Sequence, residues 1–421
     1  MRLISSQRTR ILSAITELVS REGYADVTVA QIIGLAGVSR STFYEYFPGR
    51  EACMLAALAP QRRGLMDAVS AALGGAPPGR GAQAALGALA QFAATEPVMA
   101  RMVMSEGLMA GRRCLDTHDQ LIAELAQLIE RSNQAAPRNV LSPDLPSGAL
   151  IGCSIRMLGQ RLSSGEQLTA DFTVELDSWL AGYQRPLAEH RRDTPTLCPA
   201  TERATACPPP LLQPPTDRPA DEGGRLRRLT PEEQRLRIML ATAEVVNRQG
   251  FQMARVTDIS RQANLDPHAF YRLFADKAAA FRACGEMLFR HLMAESALAY
   301  ARARTWPERV IEAIAAGLNY LHEYSTLAHA ALVDGQTAGL DAARRVHERA
   351  HAFTIFLEEG ARYEEAIRRP SSLGLEAIST MALELCYGCL RSPDGELGGL
   401  APQLAFVALA PFLGVERASD A

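Results

Sequence analysis

The chain has 421 residues, 48% of them apolar, and a net charge of −3. That length predicts two to four domains rather than one, with enough apolar material for their cores. The near-balanced charge excludes a polyanion binder acting through bulk charge, so any such contact must come from local basic patches.

Charged residues from Arg2 through Glu22 interrupt the N-terminal stretch, which does not read as a signal peptide. No window reaches about 18 uninterrupted apolar residues, so no membrane span is expected. The cysteines at 53, 114, 153, 198, 207, 284, 386 and 389 are scattered, as expected of buried, reduced thiols. Cys386 and Cys389 form a lone CxxC with neither a second pair nor a nearby His. No metal site, cofactor or catalytic constellation is predicted, although a thiol oxidoreductase using this pair is kept as a competing reading.

In chain order, Ile11, Leu12, Ile15, Leu18 and Val19 recur at helical spacing, with polar residues on the other face. Gly23 ends this helix. Thr28 reads as an N-cap for a second helix carrying Val29, Ile32, Ile33 and Ala36 inward. Gly37 makes a tight turn where positive φ costs least. Ser39 caps a third helix running to Tyr46 or Phe47. Pro48-Gly49 breaks it, and a fourth helix starts near Arg50 with Met54, Leu55 and Leu58.

This pattern is a helix-turn-helix, and residues 8 to 58 resemble the DNA-binding region of TetR family regulators. The resemblance rests on Gly23-Tyr24, Thr28, Ile32, Ala36-Gly37-Val38-Ser39, Thr42, Phe43-Tyr44-x-Tyr46-Phe47 and the basic residue at 50.

From 60 to 190 the pattern stays helical. It has a loop at Gly74–Gly79, a break near Pro97, a helix through Leu121, Leu125, Leu128 and Ile129, and a loop from Pro137 to Pro146. Helices over Ala149–Leu162 and Phe172–Tyr183 follow. After a TetR-like head, such a body resembles that family's ligand-binding and dimerisation domain. Residues 191–229 are rich in Pro and read as a linker.

The second half repeats the first. Thr230-Pro231-Glu232-Glu233 is a helix start. At a shift of 227, residues 8–58 and 235–285 share sixteen identities, among them Phe43/Phe270, Tyr44/Tyr271 and Phe47/Phe274. Farther on, Glu106 and Gly111 correspond to Asp334 and Gly339 at a shift of 228. This is duplication of a whole domain. The expected fold is all-α, two tandem TetR-like units: heads at 1–59 and 230–285, bodies at 60–190 and 286–421.

The second head departs from the pattern. Arg255 replaces Thr28, losing a cap. Asn264 replaces Gly37, and Asn also tolerates the left-handed turn. Asp266-Pro267 replaces Ser39-Arg40, which starts a helix well but sets an acid where phosphates would lie. Residues 225–285 hold eleven basic against six acidic side chains, and residues 1–60 six against five.

A recognition helix needs short polar or basic side chains along one face. In the first head these are Ser39, Arg40, Ser41, Thr42 and Tyr44, with Arg40 the candidate for reading guanine. By resemblance, Thr28, Tyr44 and Arg50 contact phosphates. The second head offers Arg255, His268, Tyr271, Arg272 and Lys277. Phe43 and Phe47, four apart, are assigned to the core. Met99, Met102, Met104 and Met109 could line a flexible apolar effector pocket, but ordinary bundle core is the preferred reading. Trp179 and Trp306 could line pockets too.

The resemblance implies a cytoplasmic, nucleoid-associated transcriptional regulator, with a double-stranded DNA operator and a small-molecule effector as partners, acting as a repressor. The duplication predicts an intrachain pseudo-dimer reading an asymmetric operator. The alternative is a homodimer in which only the first head binds DNA and the second unit serves assembly or sensing.

Overall fold

The computed structural model describes residues 6–134, 141–142, 144–166, 168, 170–184 and 229–419. The linker expected at 191–229 lies outside these residues up to position 228, as do Cys198 and Cys207. Among the described residues the secondary structure is helical, with one isolated bridge, Leu141 to Gln184.

The first head comprises α1 (Gln7–Glu22), α2 (Val29–Ala36) and α3 (Arg40–Tyr46). Ile11, Ile15, Val19, Ile32 and Phe43 are fully buried, so the apolar periodicity converges on one small core. The next helix, α4 (Arg50–Gly74), runs on past the boundary expected at 59–60, with Pro60 inside it. Head and body therefore share one rod. The body continues with α5 (Gly81–Thr95), α6 (Pro97–Met104), a 3-10 turn over Glu106–Ala110, α7 (Arg112–Gln134), α8 (Ser147–Ser164) and α9 (Ala170–Leu180).

The second repeat follows the same order through α10 (Pro231–Gln249), α11 (Val256–Gln262), α12 (Pro267–Leu273), α13 (Lys277–Arg302), α14 (Trp306–Glu323), α15 (Ser325–Leu332) and a 3-10 turn over Asp334–Gln336. It then diverges. Where α7 spans Arg112–Gln134, the second repeat has a shorter α16 (Leu340–His351) and 3-10 turns over Ala352–Phe356 and Glu358–Arg362. The chain ends with α17 (Ser372–Arg391), α18 (Ala401–Leu413) and α19 (Val415–Ser419).

The chain forms two compact units whose limits differ from those of the repeats. One contains Met1–Thr194, Gly339–Leu385 and Phe406–Asp420; the other contains Pro195–Ala338 and Cys386–Ala405. Within the first unit, α8 and α9 pack against the adjoining parts of α17 and α18. Arg156 pairs with Glu384, their side chains 9% and 6% exposed. Arg161 holds Glu376 in a fork of 2.9 and 2.7 Å. The Tyr183 hydroxyl donates to the Val407 carbonyl at 2.8 Å, and the Cys153 thiol to that of Ala377 at 3.3 Å. Gly152 permits the approach: a Cβ there would lie 2.5 Å from the Glu384 carboxylate.

Helix α17 is long and apolar enough by composition to cross a membrane. It carries Glu384 in a buried ion pair and Glu376 in a half-buried one, which marks its part in this unit as a core helix.

Candidate DNA-binding surface

The first recognition helix is set by its caps. Thr28 and Gln31 form a capping box, with the Thr28 hydroxyl accepting from Gln31 N–H at 3.3 Å and Gln31 Oε1 accepting from Thr28 N–H at 2.7 Å. Gly37 takes φ 60°, ψ 43°, the left-handed turn between α2 and α3. The Ser39 hydroxyl then accepts from Thr42 N–H at 3.0 Å. Along α3, Phe43 and Phe47 point inward at 0% and 4% exposure, while Tyr44 is 45% exposed. Arg40 and Ser41 lie exposed on the same short helix, Thr42 is half-buried, and the Arg40 guanidinium sits 5.8 Å from the Tyr44 ring.

The second head reproduces the frame. Asn264 takes φ 53°, the single positive φ outside glycine among the described residues. Phe270 and Phe274 are buried, and the Phe270–Tyr271 rings meet edge to face at 5.5 Å, as Phe43–Tyr44 do at 5.4 Å. The Arg8 guanidinium lies 5.8 Å from Phe47 and that of Arg235 lies 4.4 Å from Phe274, again 227 apart. The surface differs. Arg255 precedes α11 without a side-chain cap, as the loss of Thr predicts. Asp266 caps α12 by accepting from His268 N–H at 2.7 Å. His268, Tyr271 and Arg272 are exposed.

Arg50 and Lys277, half-buried at the starts of α4 and α13, each reach back to a loop of their own head. Arg50 Nη1 donates to the carbonyls of Tyr24 (3.1 Å), Ala25 (3.4 Å) and Val27, with the guanidinium 4.2 Å from the Tyr24 ring. Lys277 Nζ donates to Phe251 (2.8 Å), Gln252 (3.1 Å) and Ala254 (3.0 Å), and lies 4.7 Å from the Phe251 ring. Each partner is displaced by 227. An ammonium has three donors, and here all three are spent on one loop. Burial lowers the Lys277 pKa. The same clamp thus closes the loop after the first helix of each head. The sequence marked these cations as basic but gave no sign that carbonyls would gather around them.

The contacts joining the first head to its body went unread in the sequence. Glu106, 1% exposed, accepts from Tyr24 N–H at 2.9 Å, and burial raises its pKa. Arg101 Nη2 donates to the Ser20 carbonyl at 2.6 Å, at the end of α1. Glu51 accepts from Arg113 N–H at 3.0 Å. At the positions of Arg101 and Glu106 the second repeat has His329 and Asp334, 3.1 Å apart. Asp334 is buried, as Glu106 is.

Of the methionines, Met102, Met104 and Met109 are buried and Met99 is half-buried. Trp179 packs edge to face on Tyr183 at 5.5 Å, and Trp306 is buried at the start of α14. Burial pushes the Cys386 thiol up to about 12 and that of Cys389 upward, which disfavours thiolate chemistry.

A capped helix-turn-helix, mounted on a helical body through a shared rod, defines a DNA-binding transcriptional regulator. Residues 11–57 match the family model for bacterial regulatory proteins of the tetR family, which makes this segment a TetR-type DNA-binding domain. Among solved structures it is similar to the fatty acid degradation regulator FadR from Bacillus halodurans, at 15% identity and TM-score 0.38, covering 44% of this chain and 97% of that one. FadR from Bacillus subtilis, solved with stearoyl-CoA, aligns at 15% identity and TM-score 0.35, covering 42% and 98%. A TetR family regulator from Marinobacter aquaeolei VT8 aligns at 21% identity and TM-score 0.32, covering 42% and 93%. No curated protein matches the chain.

Proposed function

We propose that this regulator binds operator DNA as a single chain, its two repeats pairing as an intrachain pseudo-dimer, and that it represses transcription until a small effector enters a helical body. The packing of α8 and α9 on α17 and α18 carries the reading, since it occupies a face of the first repeat with helices of the second. The DNA surface comprises Thr28, Ser39, Arg40, Ser41, Thr42 and Tyr44 in the first head, and Arg255, His268, Tyr271 and Arg272 in the second. Arg50 and Lys277 are left out of this surface because Arg50 Nη1 and the Lys277 ammonium serve the loop clamp.

Coupling runs through Glu106 and Arg101. An effector near Met99, Met102, Met104 and Met109 that displaces α6 would pull on Ser20 and Tyr24 at the end of α1, favouring one head position over another. Action on DNA sets the protein in the cytoplasm, at the nucleoid.

Selecting sites from random DNA tests the reading. The expected product is an asymmetric operator bound by one chain of 45.6 kDa; a perfect palindrome bound by two chains would refute it. Asp266 supports a second reading, because an acid at the entry to α12 repels phosphate: a homodimer in which only the first heads touch DNA. Charge reversal at Arg40 weakens binding under both readings. Reversal at Arg272 weakens it only if the second head also binds.

A further inference from the structure

The register that takes Glu106 to Asp334 and Gly111 to Gly339 also takes Arg156 to Glu384, a shift of 228. These two residues correspond under the duplication, and they are also directly paired. If a two-fold relates the two repeats, a contact between corresponding positions lies on it. Their neighbours do not share this property: Cys153 meets Ala377 and Tyr183 meets Val407 at a separation of 224, and Arg161 meets Glu376 at 215. Around the pair, α8 and α17 run antiparallel, Arg161 meeting Glu376 while Gly152 lies against Glu384.

In a symmetric dimer a residue on the two-fold faces its own copy. Here that position carries opposite charges, nearly excluded from water. We infer that Arg156 and Glu384 set partner choice: the α8–α9 face of the first repeat accepts the second repeat and rejects a second copy of itself. Docked on its own copy in the same way, it would set Arg156 against Arg156. It would also leave Arg161 facing Gly148, the position that corresponds to Glu376. Two second-repeat faces would set Glu384 against Glu384. Like charges in so dry a site repel strongly, so only the mixed pairing is neutral. Gly152 serves the same end by leaving room for the Glu384 carboxylate.

The inference rests on the reading of the two repeats as an intrachain pair, and the test separates the two. In the full chain, Arg156→Glu and Glu384→Arg are each expected to lower the thermal midpoint by roughly 10 °C. The exchanged variant R156E/E384R is expected to regain most of that loss. An exchanged variant as unstable as the sum of the singles overturns partner choice. Should the inverted variants aggregate, R156Q, E384Q and their combination carry the same cycle, with the double again more stable than the sum of the singles. Light scattering completes the experiment. A species of 45.6 kDa without coupling overturns partner choice alone. Twice that mass with coupling intact overturns the intrachain reading and leaves the charge selection standing.

Discussion

A few side chains in this protein do work that their type alone does not announce. Arg50 and Lys277 look like phosphate contacts, yet each is tied to three carbonyls and one ring of its own head. Arg50→Gln and Lys277→Gln should each cost roughly 1–3 kcal/mol of stability, since hydrogen bonds to a charged donor are lost. The salt dependence of DNA binding should hold its slope. A slope reduced by about one, the sign of a lost phosphate contact, would restore the surface role. Asn264 carries a left-handed turn at φ 53°. Asn264→Gly should leave stability almost unchanged, whereas Asn264→Val should cost about 1–2 kcal/mol through its Cβ. Denaturant midpoints measured in parallel check both. Glycine at 37 and asparagine at 264 were readable as turn formers because few residues tolerate positive φ. The clamps were not, because their acceptors are backbone atoms without sequence identity.

The helix starts separate the two heads. Thr28 makes a reciprocal box with Gln31, and its counterpart Arg255 makes no side-chain cap. Arg255→Thr should therefore stabilise the second head by about 1 kcal/mol, read as a raised unfolding midpoint. No gain would mean that water or another group already satisfies the first turn of α11. This substitution also removes a proposed contact to DNA, so stability and affinity should move in opposite directions. At the other end of the heads, α4 and α13 begin at Arg50 and Lys277 and extend into the bodies. A boundary drawn at the end of a motif misses such a helix, because backbone hydrogen bonding propagates regardless of which core the side chains join.

For the molecule as a whole, acid should expose the packing of α8 on α17. Burial opposes ionisation of Glu376, but hydrogen bonds from His347 and Arg161 and their charges hold its pKa at about 2, against an ordinary 4.5. The unfolded chain therefore binds the extra proton between those values. The stabilisation is complete above pH 4.5 and disappears as pH falls toward 2. Glu376→Gln should flatten the decline of stability across that window. Glu106, shifted upward by burial, acts in the opposite sense: its contribution is complete below its ordinary value and fades as pH rises through the raised one. A Glu376→Gln profile as steep as the parent's would mean that this pairing is not maintained in solution.

By itself, the sequence determined the helix-turn-helix, its inward aromatic pair and its turn residues, because each is a matter of local spacing and local backbone preference. Tertiary structure decided that Arg50 and Lys277 hold a loop of their own heads, how Glu106 ties the first head to its body, and that Arg156 meets Glu384. Those outcomes depend on groups brought together from up to 228 positions apart, and no local periodicity encodes such a meeting.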